Sequence, residues 1–326
     1  MKTHCIRTTA RYGILLFIPL LASCSGQLNK KEKDTSTSGM VTIGADYEYE
    51  PVTTAEIEVF QALYNRAKIR TVFTTEDSAF ALLLKDSVRL IIASRKLTPD
   101  EENYFHSLKL YPEQMKVATD ALVLIVNKIN TDTLFTLQQL KSVFMGKDSN
   151  WMQAGEVHSG SAPRAGNDSS SGKLRIVFDY ENSGNSRYII QHLAENGKLP
   201  DYCYTLHGNT EVINYVSKNR NALGIIGVNW ISNIYDTSVI RNLREVNIIA
   251  ISKKESPSLN DFFKPYPENI QYGYYPLCRD VYIVSREAYT GLGSGFFSFV
   301  TSNRGQRIIY RDGLAPIAQI SHTISF

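Results

Sequence analysis

Apolar and polar positions along the chain alternate between a period near two and a period near 3.6. Residues 41–46, 69–75 and 88–94 are short runs rich in Val, Ile and Thr that read as strands. Between them, residues 55–67 and 78–86 carry apolar side chains at helical spacing, the first entered through Thr54 as cap with Glu58 in its opening turns. The alternation continues with a helix at 98–108, a strand at 118–128 and a helix at 137–146. It resumes with a strand at 174–180, a helix at 187–197 closed by Gly197, a strand at 202–208, a helix at 210–221 and a strand at 222–230. Residues 246–252 and 280–285 read as later strands, 293–313 as one long helix and 314–317 as a short closing strand. Runs such as 88–94, with Ile91 and Ile92, are too apolar for an exposed strand, so the repeated βα order predicts an α/β fold with a parallel sheet covered on both faces. Residues 154–172 turn to Gly, Ser, Asn and Pro without periodicity, which predicts a flexible insertion with too little apolar surface to offset its ordering entropy.

Composition adds few constraints. The 326 residues, 43% hydrophobic and 21% charged, suit a globular chain with one large or two medium cores. A net charge of +3 without a dense Lys/Arg stripe argues against nucleic-acid binding. The start of the chain has a different character. Lys2, Arg7 and Arg11, the apolar run 13–21, and Leu21-Ala22-Ser23-Cys24 resemble a bacterial lipoprotein signal. That likeness implies cleavage before Cys24, lipid attachment there, and export to the periplasmic or cell-surface side of the membrane. The apolar run is too short to span a bilayer, and residues 24–39 read as a polar, flexible tether. Cys203 and Cys278 remain, their pairing left open. The His residues are scattered and there is no CxxC, HExxH or GxSxG motif, so no metal, cofactor or catalytic function is expected.

Three loops that follow strands and lead into helix starts have the polarity of an anion cradle. They carry Asp46, Glu48 and Glu50; Ser94 and Arg95; and Ser183, Gly184, Asn185, Ser186 and Arg187. Free amides at a helix start, short hydroxyl side chains and a guanidinium suit a desolvated oxyanion, and Asp46 or Glu50 would accept its proton. Tyr47, Tyr49 and Tyr180 lie beside these loops. The Gly-rich run 291–295 lacks a following Gly-Lys-Ser/Thr and predicts only a turn and cap for the terminal helix.

Ile91-Ile92-Ala93-Ser94 with Leu97-Thr98, the helix 137–147 before Trp151, Ser183-Gly184, and the strand 222–227 resemble, in order and spacing, the substrate-binding proteins of phosphate ABC transporters. The resemblance covers residues 41–317 and implies the type II periplasmic-binding-protein fold: two α/β lobes joined by a double-crossing hinge with a ligand cleft between them. By that likeness lobe one is 40–120 plus 247–326 and lobe two is 121–246. The implied function is capture of phosphate or a related oxyanion for an ABC permease by a lipid-anchored monomer. The alternative is a sensory, adhesion or surface interaction module on the same fold. The chain departs from the family pattern in placing Arg95 where an Asp follows the second-loop Ser, and Asp179, Glu181 and Asn185 where the third loop has Arg, Asp and Thr. Arg95 and Arg187 are the candidates to supply the missing positive charge.

Overall fold

The computed structural model describes residues 34–147, 149, 173–195, 197–232, 240–241 and 244–317. The leader, Cys24, the start of the tether and the insertion at 154–172 lie outside the described residues. The described elements all belong to one compact unit.

The first half follows the predicted βα order. Strands β1 (Gly39–Asp46), β2 (Ala67–Thr74) and β3 (Leu90–Ala93) alternate with α1 (Glu50–Leu63) and α2 (Glu76–Leu84), and β1 pairs in parallel with both β2 and β3. Helix α3 (Pro99–Ser107) starts with a capping box in which Thr98 and Glu101 satisfy each other's amides. Beyond β4 (Glu113–Asn127) and β5 (Leu134–Thr136), α4 (Leu137–Phe144) is capped in the same way by Thr136 and Gln139. The second βα series comprises β6 (Arg175–Phe178), α5 (Gly184–His192), β7 (Cys203–Thr205), α6 (Asn209–Lys218), β8 (Ala222–Gly227) and α7 (Asn229–Ser232), with β6 parallel to β7 and β8. The chain returns through β9 (Val246–Ile248), β10 (Ala250–Ser252), α8 (Pro267–Gln271) and β11 (Cys278–Ser285), and ends in α9 (Leu292–Thr301), α10 (Asn303–Arg311) and β12 (Ala315–Pro316).

Among the described residues the strands form a ten-stranded sheet, ordered β2-β1-β3-β11-β4-β8-β6-β7 with β9 and β12 also on β4, and a small β10-β5 pair. The sheet is mixed rather than parallel. Strand β11 runs antiparallel to β3 and β4, and β4 antiparallel to β8. Local patterning fixes only the pairs joined by a helical crossover; β4 and β11 meet from distant parts of the chain and carry no such signal. Strand β4 is the spine, pairing with β11 up to Ala121 and with β8 from Leu122. The expected terminal helix is two helices, because Ser302 turns extended (φ −73°, ψ 166°) and caps α10 by accepting from the Gly305 amide. Cys203 and Cys278 are free thiols.

Candidate functional site

The loops after β1, β3 and β6 converge beside the start of α5. At the end of β1, Asp46 turns the chain into a short 3-10 turn (Tyr47–Tyr49) by accepting from the Glu48 amide through Oδ1 (3.1 Å). Its second oxygen, Oδ2, is buried without a hydrogen-bond partner. Ser183 caps α5 by accepting from the Ser186 amide (3.1 Å) and donates to Asp179 Oδ1 (2.6 Å), while Asn182 before it takes the left-handed conformation (φ 59°) that swings the loop into the helix. The first-turn amides of Gly184 and Asn185 have no acceptor within the helix. Ser94 is fixed through its amide and hydroxyl, both donating to Glu76 Oε1 (2.5 and 2.6 Å).

The fourth component is Arg279, on β11. Its guanidinium is buried against Asp120 of β4, with Nε and Nη2 at 2.9 and 2.7 Å from Oδ2, and lies over the Tyr49 ring at 5.6 Å. Nη1 has no partner. A Cβ placed on Gly184 would stand 3.1 Å from Arg279 Nη1, 3.1 Å from Asp46 Oδ2 and 3.3 Å from Ser94 Oγ. Gly184 therefore borders a corner where a cationic donor, a carboxylate acceptor, a hydroxyl and a helix start face one another. The corner adjoins a cleft of 730 Å3 bordered by Ser94, Gly184, Arg187, Tyr188 and Arg279.

The expected site residues divide into two groups. Asp46, Ser94, Ser183 and Gly184 are brought together at the corner, with Ser186 tied into the Ser183 cap. Asn185 is turned away from the cleft and donates to Glu48 Oε2. Arg187 contacts Glu76 and Asp77, and Arg95 is held bidentately by Glu101 (2.8 and 3.1 Å) with its guanidinium 3.4 Å from the Phe80 ring centre. Both arginines border the cleft rather than the corner. Glu50 is half-buried in the first turn of α1 and does not border the cleft.

Glu48, Tyr47 and Tyr180 lie on the expected loops, but their contacts, and the presence of Asn209, Asp120 and Arg279, were not anticipated. Glu48 is fully buried: Oε2 accepts from Asn185 and Asn209, and its main-chain oxygen accepts from Asn229 and Trp230. Gly227 is required there, since a Cβ would overlap the Glu48 carboxylate. Tyr47 stacks on Tyr180 with ring centres 4.6 Å apart. Asp120 and Arg279 share their strands with other charges, Glu113 and Lys116 on β4 and Asp280 on β11, so nothing in the sequence singled them out as a buried pair.

Burial dominates the electrostatics. It pushes the Asp46 carboxyl up to about 6, aided by Asp179 and opposed by the Glu48 amide, Arg279 and Arg187. Burial also holds Glu48 well above the usual carboxylate range and raises Asp120 and Asp179, each against the pull of Arg279. Burial works against the Arg279 charge, but Tyr49, Asp120 and Glu48 around it raise it overall, so it stays protonated.

Among the described residues no group of His, Cys, Asp and Glu is placed to hold a metal ion, and no helix is long and apolar enough to cross a membrane. The chain is 24% identical over 303 residues to the phosphate-binding protein PstS of Pseudomonas aeruginosa, covering 91% of this chain and 89% of that one. It is 24% identical over 297 residues to PstS of Staphylococcus saprophyticus, covering 88% and 83%. The fold matches a putative phosphate ABC transporter substrate-binding protein with bound phosphate from Clostridium perfringens, with a TM-score of 0.67 at 22% identity over 86% of this chain and all of that one. An ABC-type phosphate transport receptor from Vibrio cholerae matches with a TM-score of 0.59 at 20% identity, over 85% of this chain and 100% of that one. A family model described as PBP superfamily domain matches residues 30–304, and the chain belongs to that family.

Proposed function

We propose that the protein is an extracytoplasmic solute receptor that captures phosphate or a closely related oxyanion in the Gly184 corner and presents it to an ABC permease. One observation carries the reading: Arg279 Nη1 and Asp46 Oδ2, a buried cationic donor and a buried acceptor, are both unpartnered and both face Gly184 at the start of α5. Buried polar groups are ordinarily hydrogen-bonded, so two complementary orphans across one gap call for a ligand that accepts from one and donates to the other. A protonated oxyanion does both. The first-turn amides add donors, the Ser94 hydroxyl hydrogen being given to Glu76, and the helix dipole favours the negative charge. Sulfate accepts but has no proton to donate, so it would leave the Asp46 oxygen unsatisfied and repelled. The named relatives and the bound phosphate in the Clostridium protein support the same ligand class.

In this reading residues 40–120 and 247–326 form one lobe and 121–246 the other, consistent with the change of partner along β4 at Ala121 and Leu122. The Tyr47–Tyr180 stack, the Glu48 contacts with Asn185, Asn209, Asn229 and Trp230, and the Arg187–Glu76 pair are then contacts between lobes. Closure around a solute is the working motion. Cleavage before Cys24, lipid attachment there and a monomeric receptor on a tether complete the proposal, with binding rather than catalysis as its activity.

Calorimetric titration of protein stripped of carried-over anion tests it. Phosphate is expected to bind with Kd of about 1 μM or tighter and sulfate at least about a hundredfold more weakly, a difference of about 2.7 kcal/mol. Absence of phosphate binding at every pH tested would overturn the receptor reading. It would favour a sensory or interaction module, in which Glu48 permanently occupies the amides of Asn185 and Asn209.

A further inference from the structure

The cleft is larger than its corner requires. A phosphate ion has five heavy atoms and takes roughly 100 Å3, judged from about 30 Å3 for a water in the liquid. The cleft measures 730 Å3, in the range of sites that enclose small organic molecules. This is not entry space that closure has still to remove, because the two sides of the cleft already touch. Tyr47 stacks on Tyr180, Glu48 accepts from Asn185 and Asn209, and Arg187 reaches Glu76 and Asp77. Helix α5 sets the direction of the extra volume. Gly184, Arg187, Tyr188, Gln191 and His192, spaced as one face of a helix, all border the cleft, so at the helical rise this wall runs about 12 Å outward from the corner.

The residues along that extension suit an organic group with hydroxyls. The His192 ring stacks on Tyr188 with centres 4.2 Å apart, and its Nδ1 donates to the Tyr188 main-chain oxygen (2.9 Å), which fixes a two-ring platform. Gln191 beside it is exposed. Strands β4 and β11 also border the cleft, with Thr119 and Asp280 paired across them and the Tyr282 hydroxyl donating to Asp280. Amide, hydroxyl and carboxylate groups beside aromatic rings offer a polyol both hydrogen bonds for its hydroxyls and a flat surface for its C–H groups. Bare phosphate seated at the corner would leave all of these groups in water. Resting on the receptor reading above, we propose that the cleft also takes phosphate monoesters of small hydroxylated carbon groups, with the phosphoryl group in the Gly184 corner and the organic group lying along α5 toward His192. A monoester keeps three terminal oxygens for the corner and carries its substituent on the fourth, so the substituent leaves along the cleft without displacing the corner contacts.

Calorimetric titration of the anion-stripped protein at neutral pH with inorganic phosphate, glycerol 3-phosphate and ribose 5-phosphate tests this. At least one ester is expected to bind as tightly as phosphate or more tightly. His192→Ala, a change at an exposed side chain, is expected to weaken that ester about fivefold or more relative to phosphate, the loss of a stacking ring. Weaker binding than phosphate by every ester would overturn the inference and leave the receptor reading standing. An unchanged ratio of ester to phosphate affinity in His192→Ala would overturn the assignment of the organic group to the α5 wall. Absence of binding by phosphate and esters alike would overturn the receptor reading itself. The ester-to-phosphate ratio of the unmodified protein decides the inference even if the variant does not fold.

Discussion

The molecule buries carboxylates in two places, and the two differ in what surrounds them. At the cleft, Asp46, Glu48, Asp120 and Asp179 are gathered around Arg279 at the ends of strands from distant parts of the chain. Behind the sheet, Glu56 of α1 and Asp312 after α10 are also buried, and neither oxygen of Glu56 has a hydrogen-bond partner. Burial, reinforced by Asp312, pushes Glu56 up to about 9. The cavity beside it measures 20 Å3, is walled by Val52, Ile92, Val281, Val300 and Leu314, and has room for about one water. Buried acids alone therefore do not make a site. At the cleft a fixed guanidinium, a helix start and open volume lie beside the unsatisfied oxygens; behind the sheet Arg311 pairs with Asp312 at 3.5 Å while Glu56 faces aliphatic side chains, and burial favours its protonated form.

Removing the guanidinium should break the contrast most strongly. Arg279→Met leaves Asp120 and Glu48 without their counter-charge, and truncating one partner of a buried ion pair costs about 3–5 kcal/mol. The urea midpoint at neutral pH should fall accordingly and phosphate binding should be lost. At acid pH the loss of stability should shrink, because the orphaned carboxyls can take up protons. A variant equally destabilised at pH 5 and pH 8 would show that Arg279 acts by packing rather than by charge.

A smaller effect separates the corner from its scaffold. Gly184→Ala places a methyl 3.1 Å from both Arg279 Nη1 and Asp46 Oδ2, filling the space the ligand would occupy. Phosphate affinity should fall by about tenfold or more, about 1.4 kcal/mol, with stability changed by less than about 1 kcal/mol because alanine suits a helix first turn. Unchanged affinity would place the ligand elsewhere in the cleft.

The βα scaffold and the three polar loops were legible because apolar periodicity is a local signal, but helix ends were not: Thr54, read as a cap, lies inside α1, which starts at Glu50, and the helix read at 187–197 runs from Gly184 to His192. The β4–β11 pairing was not, since two strands lying more than a hundred residues apart meet only through tertiary packing. Arg95 and Arg187 were the visible cations next to visible anion loops, yet Glu101 and Glu76 hold them at the cleft wall. The guanidinium at the corner comes from Arg279, which lies just before the strand read at 280–285 and inside the observed β11. Glu48 was read as one acid of the first polar loop, with no role of its own. Its cradle of Asn185, Asn209 and Asn229 is assembled from three separate elements and has no sequence signature.

The smallest effect on binding tests the other half of the comparison. A carboxyl whose folded value lies above its unfolded one binds more protons in the native state, so stability declines as pH rises from the unfolded value toward the folded one. For Glu56 that window runs from the ordinary glutamate range up to about 9. Glu56→Gln removes the ionisation and retains the shape, so its stability relative to the parent, followed by thermal melting, should rise progressively between about pH 5 and 8.5, by up to about 1.4 kcal/mol per pH unit. Phosphate affinity should not change. If Glu56→Gln instead altered binding or its pH dependence, the two acid clusters would be coupled through β4, and the division between a cluster that meets a ligand and one that only stores a proton would no longer hold.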